Sequence, residues 1–274
     1  MGLSTFLNSG ARGLAVVAAA MLLVAGSAQA QQDDRERERI ERVPDILTAL
    51  GVRDGAHIAD LGSSDGFYTL RIAKAVAPSG RAYAIDIEQK SLDKLRERAQ
   101  KDAITNVEII LSEVADPKLP AGTLDAVLIR NAYHEFVAYS EILKGVMNGL
   151  RPGGLLVVSE GMSDSLLDKP REQQVKEHYI APGIVEAELR ESGFEIVDRD
   201  DAFTRFTGSR VGGYWMIRAR RPNGGGPSLT VFARLYDVSP RCQMTCRSWE
   251  RTKLRSSKSG LSEGDQQFLP LVEI

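Results

Sequence analysis

From Ala56 onward the chain alternates short apolar runs with amphipathic stretches. His57-Ile58-Ala59-Asp60-Leu61 reads as a buried strand running into the turn Gly62-Ser63-Ser64-Asp65-Gly66. Thr69 to Ala77 carries Leu70, Ala73 and Ala77 at helical spacing, and Pro78-Ser79-Gly80 stops it. Ala82 to Ile87 predicts a second strand, and Leu92, Leu95 and Ala99 mark the next helix. Strands follow at Val107–Leu111, Ala126–Ile129 and Leu155–Ser159, with a helix through Ile142, Leu143, Val146, Met147 and Leu150 that ends at Pro152-Gly153-Gly154. Strands alternating with helices predict an α/β fold, a doubly wound and mostly parallel sheet with helices on both faces. The rhythm then changes. A helix from Ile184 to Ser192 is followed by strands at Phe194–Val197 and Tyr214–Ala219 with no helix between them, so the last strand is expected to be antiparallel.

The two ends of the chain read differently. Arg12 is the only charge in residues 1–30, and it precedes the apolar run Leu14 to Ala25 and the small-x-small triplet Ala28-Gln29-Ala30. That run is short against the ~20 residues a bilayer needs. Residues 1–30 are therefore expected to be a signal peptide, giving a periplasmic or secreted protein that begins at Gln31 and has no stable membrane insertion; an uncleaved N-terminal anchor is the weaker alternative. Residues 31–42 form a charged lead-in, expected to be a solvated helical or frayed stretch. The domain proper spans 43–221. Pro222-Asn223-Gly224-Gly225-Gly226-Pro227 is a linker by chemistry, and 228–274 shows no sustained period, the pattern of a disordered tail, with a basic contact segment as the sharper alternative.

Composition narrows the functional classes. Of 274 residues, 43% are hydrophobic and 26% charged, with a net charge of −2, which excludes a disordered chain and gives no electrostatic footprint for nucleic acid. Two cysteines, Cys242 and Cys246, exclude a disulfide scaffold. Three scattered histidines with no paired Cys/His spacing supply no metal-ligand set.

The informative stretch is the glycine-containing turn at a strand-to-helix junction. Glycines there let backbone approach a ligand closely, and the next helix offers free N–H groups. About twenty residues later Asp86 ends the second strand, where an acid can accept both hydroxyls of a ribose. Together they predict a nucleoside-containing cofactor.

These residues resemble the class I S-adenosylmethionine-dependent methyltransferases. The family's first motif, acid-x-Gly-x-Gly-x-Gly, stands here as Asp60-Leu61-Gly62-Ser63-Ser64-Asp65-Gly66, with Ser64 in place of the middle glycine. The resemblance implies that Asp60, Gly62, Ser63, Ser64, Asp65 and Gly66 form the cofactor turn, and that Asp86 and Ile87 meet the ribose. It further implies that Glu113 and Val114 meet the adenine, and that Asn131 follows the fourth strand beside the cofactor. Leu150-Arg151-Pro152-Gly153-Gly154-Leu155 looks like the family's turn before the fifth strand, and the resemblance covers about Val43 to Arg221. The implied cofactor is S-adenosylmethionine, and the implied activity is methyl transfer to a small-molecule acceptor. Asn131-Ala132-Tyr133-His134-Glu135-Phe136 departs from the Asn-Pro-Pro-Tyr type of many amino-group methylators of DNA and protein. His134 titrates near neutral pH and is the candidate base, oriented by Glu135, with Tyr133 beside it; the bland alternative is a histidine that caps a helix or packs under the cofactor. His57 reads as a structural histidine. Glu160 reads as a solvated strand-end acid, and the polar insertion Gly161–Pro182, which carries His178, as a cover for the acceptor pocket. Two alternatives stay open: a nicotinamide-dependent oxidoreductase, disfavoured because the turn lacks G-x-G-x-x-G, and a non-catalytic protein that only binds S-adenosylmethionine.

Overall fold

A computed structural model describes residues 32–205 and 212–224. The signal segment, the Gln31 start, and the tail with Cys242 and Cys246 lie outside the described residues. Helices are α1 (32–40), α2 (Val43–Ala49), α3 (Phe67–Val76), α4 (Gln89–Lys101), α5 (Tyr139–Gly149), α6 (Arg171–Lys176) and α7 (Pro182–Glu191). Strands are β1 (His57–Leu61), β2 (Arg81–Asp86), β3 (Val107–Leu111), β4 (Leu124–Arg130), β5 (Leu150–Met162), β6 (Glu195–Arg205) and β7 (Gly213–Arg220).

The strands form one sheet in the order β3-β2-β1-β4-β5-β7-β6. The first five are parallel, and β7 runs antiparallel to both its neighbours. Strand β4 is buried along its whole length, which is why it reads as a continuous apolar run. Side chains on one face, among them Leu61, Ile85, Ile129 and Trp215, pack against Ile142, Leu143 and Val146 of α5 and Val185 and Leu189 of α7. On the other face Ile58, Ala82, Ala126 and Leu128 pack against Ile46 of α2 and Phe67, Ile72 and Val76 of α3. Alternation of side chains along each strand feeds two cores, one per face.

Three elements differ from the sequence expectation. Strand β5 begins at Leu150, ahead of the expected Leu155, and a register shift in its pairing with β4 between Leu124 and Ala126 accommodates the Pro-Gly-Gly segment. Strand β6 extends to Arg205 through Asp198, Asp200 and Asp201, because pairing with β7 holds it despite its polar sequence. The lead-in is not simply solvated. Asp34 pairs with Arg71 and Arg98, Glu38 with Arg71, and the Arg37 guanidinium lies 3.8 Å over the Phe67 ring. Glu41 accepts a 2.6 Å hydrogen bond from the Tyr68 hydroxyl and pairs with Arg130, a buried guanidinium stacked over Tyr214. Alternating charge in α1 thus supplies the acidic face that docks it on the first sheet-packing helix.

Candidate active site

The parallel strand order reverses between β1 and β4, and a cavity of about 330 Å³ opens beyond their C-terminal ends, the usual ligand position in such a sheet. Gly62 forms its floor. Its φ is +83°, and a Cβ there would stand 2.4 Å from the Cβ of Ala132, on the loop after β4. A side chain at this position would therefore force the two loops apart and close the gap. Ser64, also at positive φ, donates its N–H to Asp86 Oδ2 at 2.8 Å, while Asp86 Oδ1 accepts from the Glu88 N–H at 2.9 Å. The carboxylate is fixed at the wall with about half of its lone-pair sites still free. Ile87 and Val114 leave apolar side chains exposed at the mouth, and Glu113, paired with Lys118, stands beside Val114. Asn131, at φ 51°, faces them from the β4 side.

Of the residues the sequence singled out for the cofactor, Gly62, Ser64, Asp86, Ile87, Glu113, Val114 and Asn131 line this cavity. Asp60, Ser63, Asp65 and Gly66 do not, and Asp60, Asp65 and Gly66 each have another task. Asp60 is fully buried and accepts from the Thr69 hydroxyl at 2.6 Å, which ties β1 to α3; burial raises its carboxyl to about 6, against the hydrogen bonds from Thr69. Asp65 pairs with Arg98. Gly66 is glycine for packing, since a Cβ there would meet Leu95 of α4 at 2.5 Å. Ser63 leaves a buried hydroxyl without a partner among the described residues. Ser91, Ser112, Phe136, Val137 and Ile142 also line the cavity. Their sequence context offered no signal, because they are ordinary helix and loop residues brought in by the chain's path.

The segment after β4 forms a short 3-10 turn, Tyr133–Glu135. Tyr133 is buried and its hydroxyl donates to Glu188 at 2.8 Å, away from the cavity; burial and that carboxylate hold the phenol far above its ordinary range. This places Tyr133 in the core, off the cavity wall. His134 is buried too and is not on the cavity wall, whereas its neighbour Glu135 is. Glu160 corrects the sequence reading most clearly. It is completely buried, and its Oε1 accepts from the N–H groups of Ala132 and Tyr133 at 2.7 and 2.6 Å, while Oε2 lies 2.7 Å from His134 Nδ1. Burial alone would lower the His134 imidazole; hydrogen bonds and charge from Glu160 and Glu135 outweigh it and raise the group above its ordinary value. His57, by contrast, shares a 3.0 Å contact with the Tyr83 hydroxyl on the other side of the sheet end. The insertion folds as a turn at Asp164–Leu166 and as α6, and it reaches the site through His178, whose ring meets His134 edge-on at 5.7 Å. A second cavity of about 520 Å³, between this insertion and β6–β7, shares none of the expected site residues.

The reversed seventh strand and the cavity at the β1/β4 switch define the class: a class I S-adenosylmethionine-dependent methyltransferase fold. Residues 53–197 match the family model described as a methyltransferase domain, and the chain belongs to that family. Among curated relatives it is 33% identical over 126 residues to an uncharacterised transposon protein of Streptomyces fradiae, covering 46% of this chain and 36% of that one. It is 24% identical over 131 residues to a demethylmenaquinone methyltransferase of a Geobacillus species, covering 48% and 56%. The chain thus spans about half, or less, of the length of these relatives. A SAM-dependent methyltransferase structure from Aquifex aeolicus superposes with a TM-score of 0.56 at 21% identity, covering 69% of this chain and 97% of that one. The cofactor of the domain is S-adenosylmethionine. The geometry fits it: a side-chain-free floor at Gly62, a fixed carboxylate with free lone pairs at Asp86, and the exposed apolar side chains of Ile87 and Val114 on the cavity wall. Family membership sets aside the nicotinamide reading.

Proposed function

We propose that this protein transfers a methyl group from S-adenosylmethionine to a small-molecule acceptor, and that it does so in the periplasm or outside the cell after removal of residues 1–30. The carrying observation is Asp86, held by two backbone N–H groups at the end of β2, facing a floor that tolerates only glycine. Asp86 would take the ribose hydroxyls, Ile87 and Val114 would hold the adenine, and Glu113 would receive its amino group. When bound, S-adenosylmethionine supplies an electrophilic methyl on a sulfonium centre. The acceptor enters against Phe136, Val137 and Ile142, an apolar wall suited to a molecule with a ring or hydrocarbon body. Similarity to a demethylmenaquinone methyltransferase and to a C-methyltransferase of ubiquinone/menaquinone biosynthesis supports a quinone-like ring as the acceptor. Glu135 is the ionisable group on that wall, and Glu160 positions the turn that carries it.

Calorimetric titration of the purified protein with S-adenosylmethionine tests the reading. Parent protein binds, and Asp86→Ala, which loses two charge-assisted hydrogen bonds of ~1.5–3 kcal/mol each, binds at least ~100-fold more weakly. Equal affinity in a folded Asp86→Ala protein refutes the assignment. Binding without turnover across a panel of small nucleophiles leaves the non-catalytic alternative. Intact mass of the exported protein is expected to begin at Gln31; a membrane-bound species retaining Met1 would show an anchor instead.

A further inference from the structure

Beside the cofactor cavity, His134, Glu135 and His178 converge although they come from different parts of the chain. One ligand-type atom from each lies within 4.8 Å of the others. His134 Nε2 is 3.5 Å from Glu135 Oε1, and His178 Nδ1 is 3.9 Å from that same oxygen. Ligands at ~2.0–2.1 Å around a tetrahedral zinc ion stand roughly 3.3–3.4 Å apart, so the His134–Glu135 separation is close to a coordination edge and His178 has to move inward by about half an ångström or more. Glu135 and His178 are exposed and free to make that adjustment.

Two further observations separate this group from a chance surface cluster. Glu160 accepts two backbone N–H bonds through Oε1, and its Oε2 lies 2.7 Å from His134 Nδ1. The contact occupies Nδ1 and leaves Nε2 as the ring nitrogen that faces Glu135, the arrangement in which a carboxylate behind the ring orients a metal-bound imidazole. His178 also holds φ at 59°, a strained conformation for a side-chain-bearing residue, and in that conformation its ring abuts His134. The sequence showed no metal-ligand spacing because the insertion, and not a local motif, delivers the third ligand.

We propose that His134, Glu135 and His178 bind a first-row divalent cation of the zinc type, with Glu160 as the positioning carboxylate behind His134. Two imidazoles and one carboxylate form a borderline nitrogen–oxygen set that suits Zn²⁺, with Co²⁺ as a spectroscopic substitute, over the all-oxygen preference of Mg²⁺ or Ca²⁺. Glu135 lines the cofactor cavity as well, so the cation would lie on the acceptor side. The proposal does not depend on methyl transfer.

The test uses the full chain with Cys242→Ser and Cys246→Ser, so that tail thiols contribute no zinc affinity. After chelator treatment the protein is titrated with Zn²⁺ against a chromophoric competitor, and with Co²⁺ by visible absorption. One equivalent of Zn²⁺ is expected, together with a Co²⁺ band. His178→Ala and Glu135→Gln, both exposed changes, are expected to weaken Zn²⁺ at least ten-fold with an unaltered melting curve in the absence of metal. His178→Ala is expected to keep the parent's affinity for S-adenosylmethionine, which makes failure of the metal site distinguishable from failure of the cofactor site. Substoichiometric binding by the parent, or unchanged Zn²⁺ affinity in both variants, overturns the proposal.

Discussion

Replacing Glu160 by alanine should be among the most damaging single changes in the domain, and its cost can be worked from three contacts. The buried carboxylate accepts from Ala132 N, Tyr133 N and His134 Nδ1, at 2.7, 2.6 and 2.7 Å. Hydrogen bonds to a charged acceptor contribute ~1.5–3 kcal/mol each, and the lower figure for all three gives about 4–5 kcal/mol. This agrees with the ~3–5 kcal/mol typical of removing one partner from a buried charged pair. For a domain of this size, ~2–4 °C per kcal/mol puts the fall in Tm at roughly 8–20 °C. Glu160→Gln is graded between them. Its amide oxygen keeps the two backbone bonds, but its NH₂ faces His134 Nδ1, and the imidazole must change tautomer at a cost of about 1–2 kcal/mol. Thermal and urea unfolding of parent, Gln and Ala proteins should therefore rank in that order. A Glu160→Ala protein melting within about 2 °C of the parent would show that Glu160 does not hold the turn, and the positioning argument would fail with it.

Two further outcomes are expected. Gly62→Ala puts a Cβ 2.4 Å from Ala132 and an alanine at φ +83°, so the variant should lose about 2–3 kcal/mol in urea unfolding and most of its S-adenosylmethionine affinity; a fully stable, fully binding variant would refute the close approach. Asp60 is raised from 3.8 to about 6, so its protonated form is favoured in the fold, and the stability it contributes below pH 4 is lost as pH climbs to about 6. The parent should accordingly lose ~3 kcal/mol relative to Asp60→Asn across that interval, and parallel stability curves for the two proteins would exclude the shift.

The first half of the fold was legible because its information is local. His57 to Gly66 carries an apolar strand, a glycine turn and a helix start in consecutive residues, and Asp86 stands at a strand end that periodicity alone locates. What escaped reading depends on partners distant in the chain. Glu160 looks like a solvated strand-end acid until the Tyr133–Glu135 turn folds over it and turns three donors inward. Asp198 to Asp201 have poor strand character, and only the register with β7 extends β6 through them. Glycine in the turn was ambiguous in a different way: Gly62 opens a cavity while Gly66 admits Leu95, and no spacing rule distinguishes the two tasks.

The place of β7 bears on how the protein is made. Among the described residues it is the last strand, yet it lies between β5 and β6, and β6 has no other neighbour there. A ribosome that has released residues up to Arg205 has therefore produced a sheet with an open edge at β5 and a strand, β6, with nothing to pair to. Both ladders close only when Gly213–Arg220 arrives. An open edge is a template for pairing with other chains, so nascent or truncated forms ending before residue 220 should be sticky and sensitive to protease.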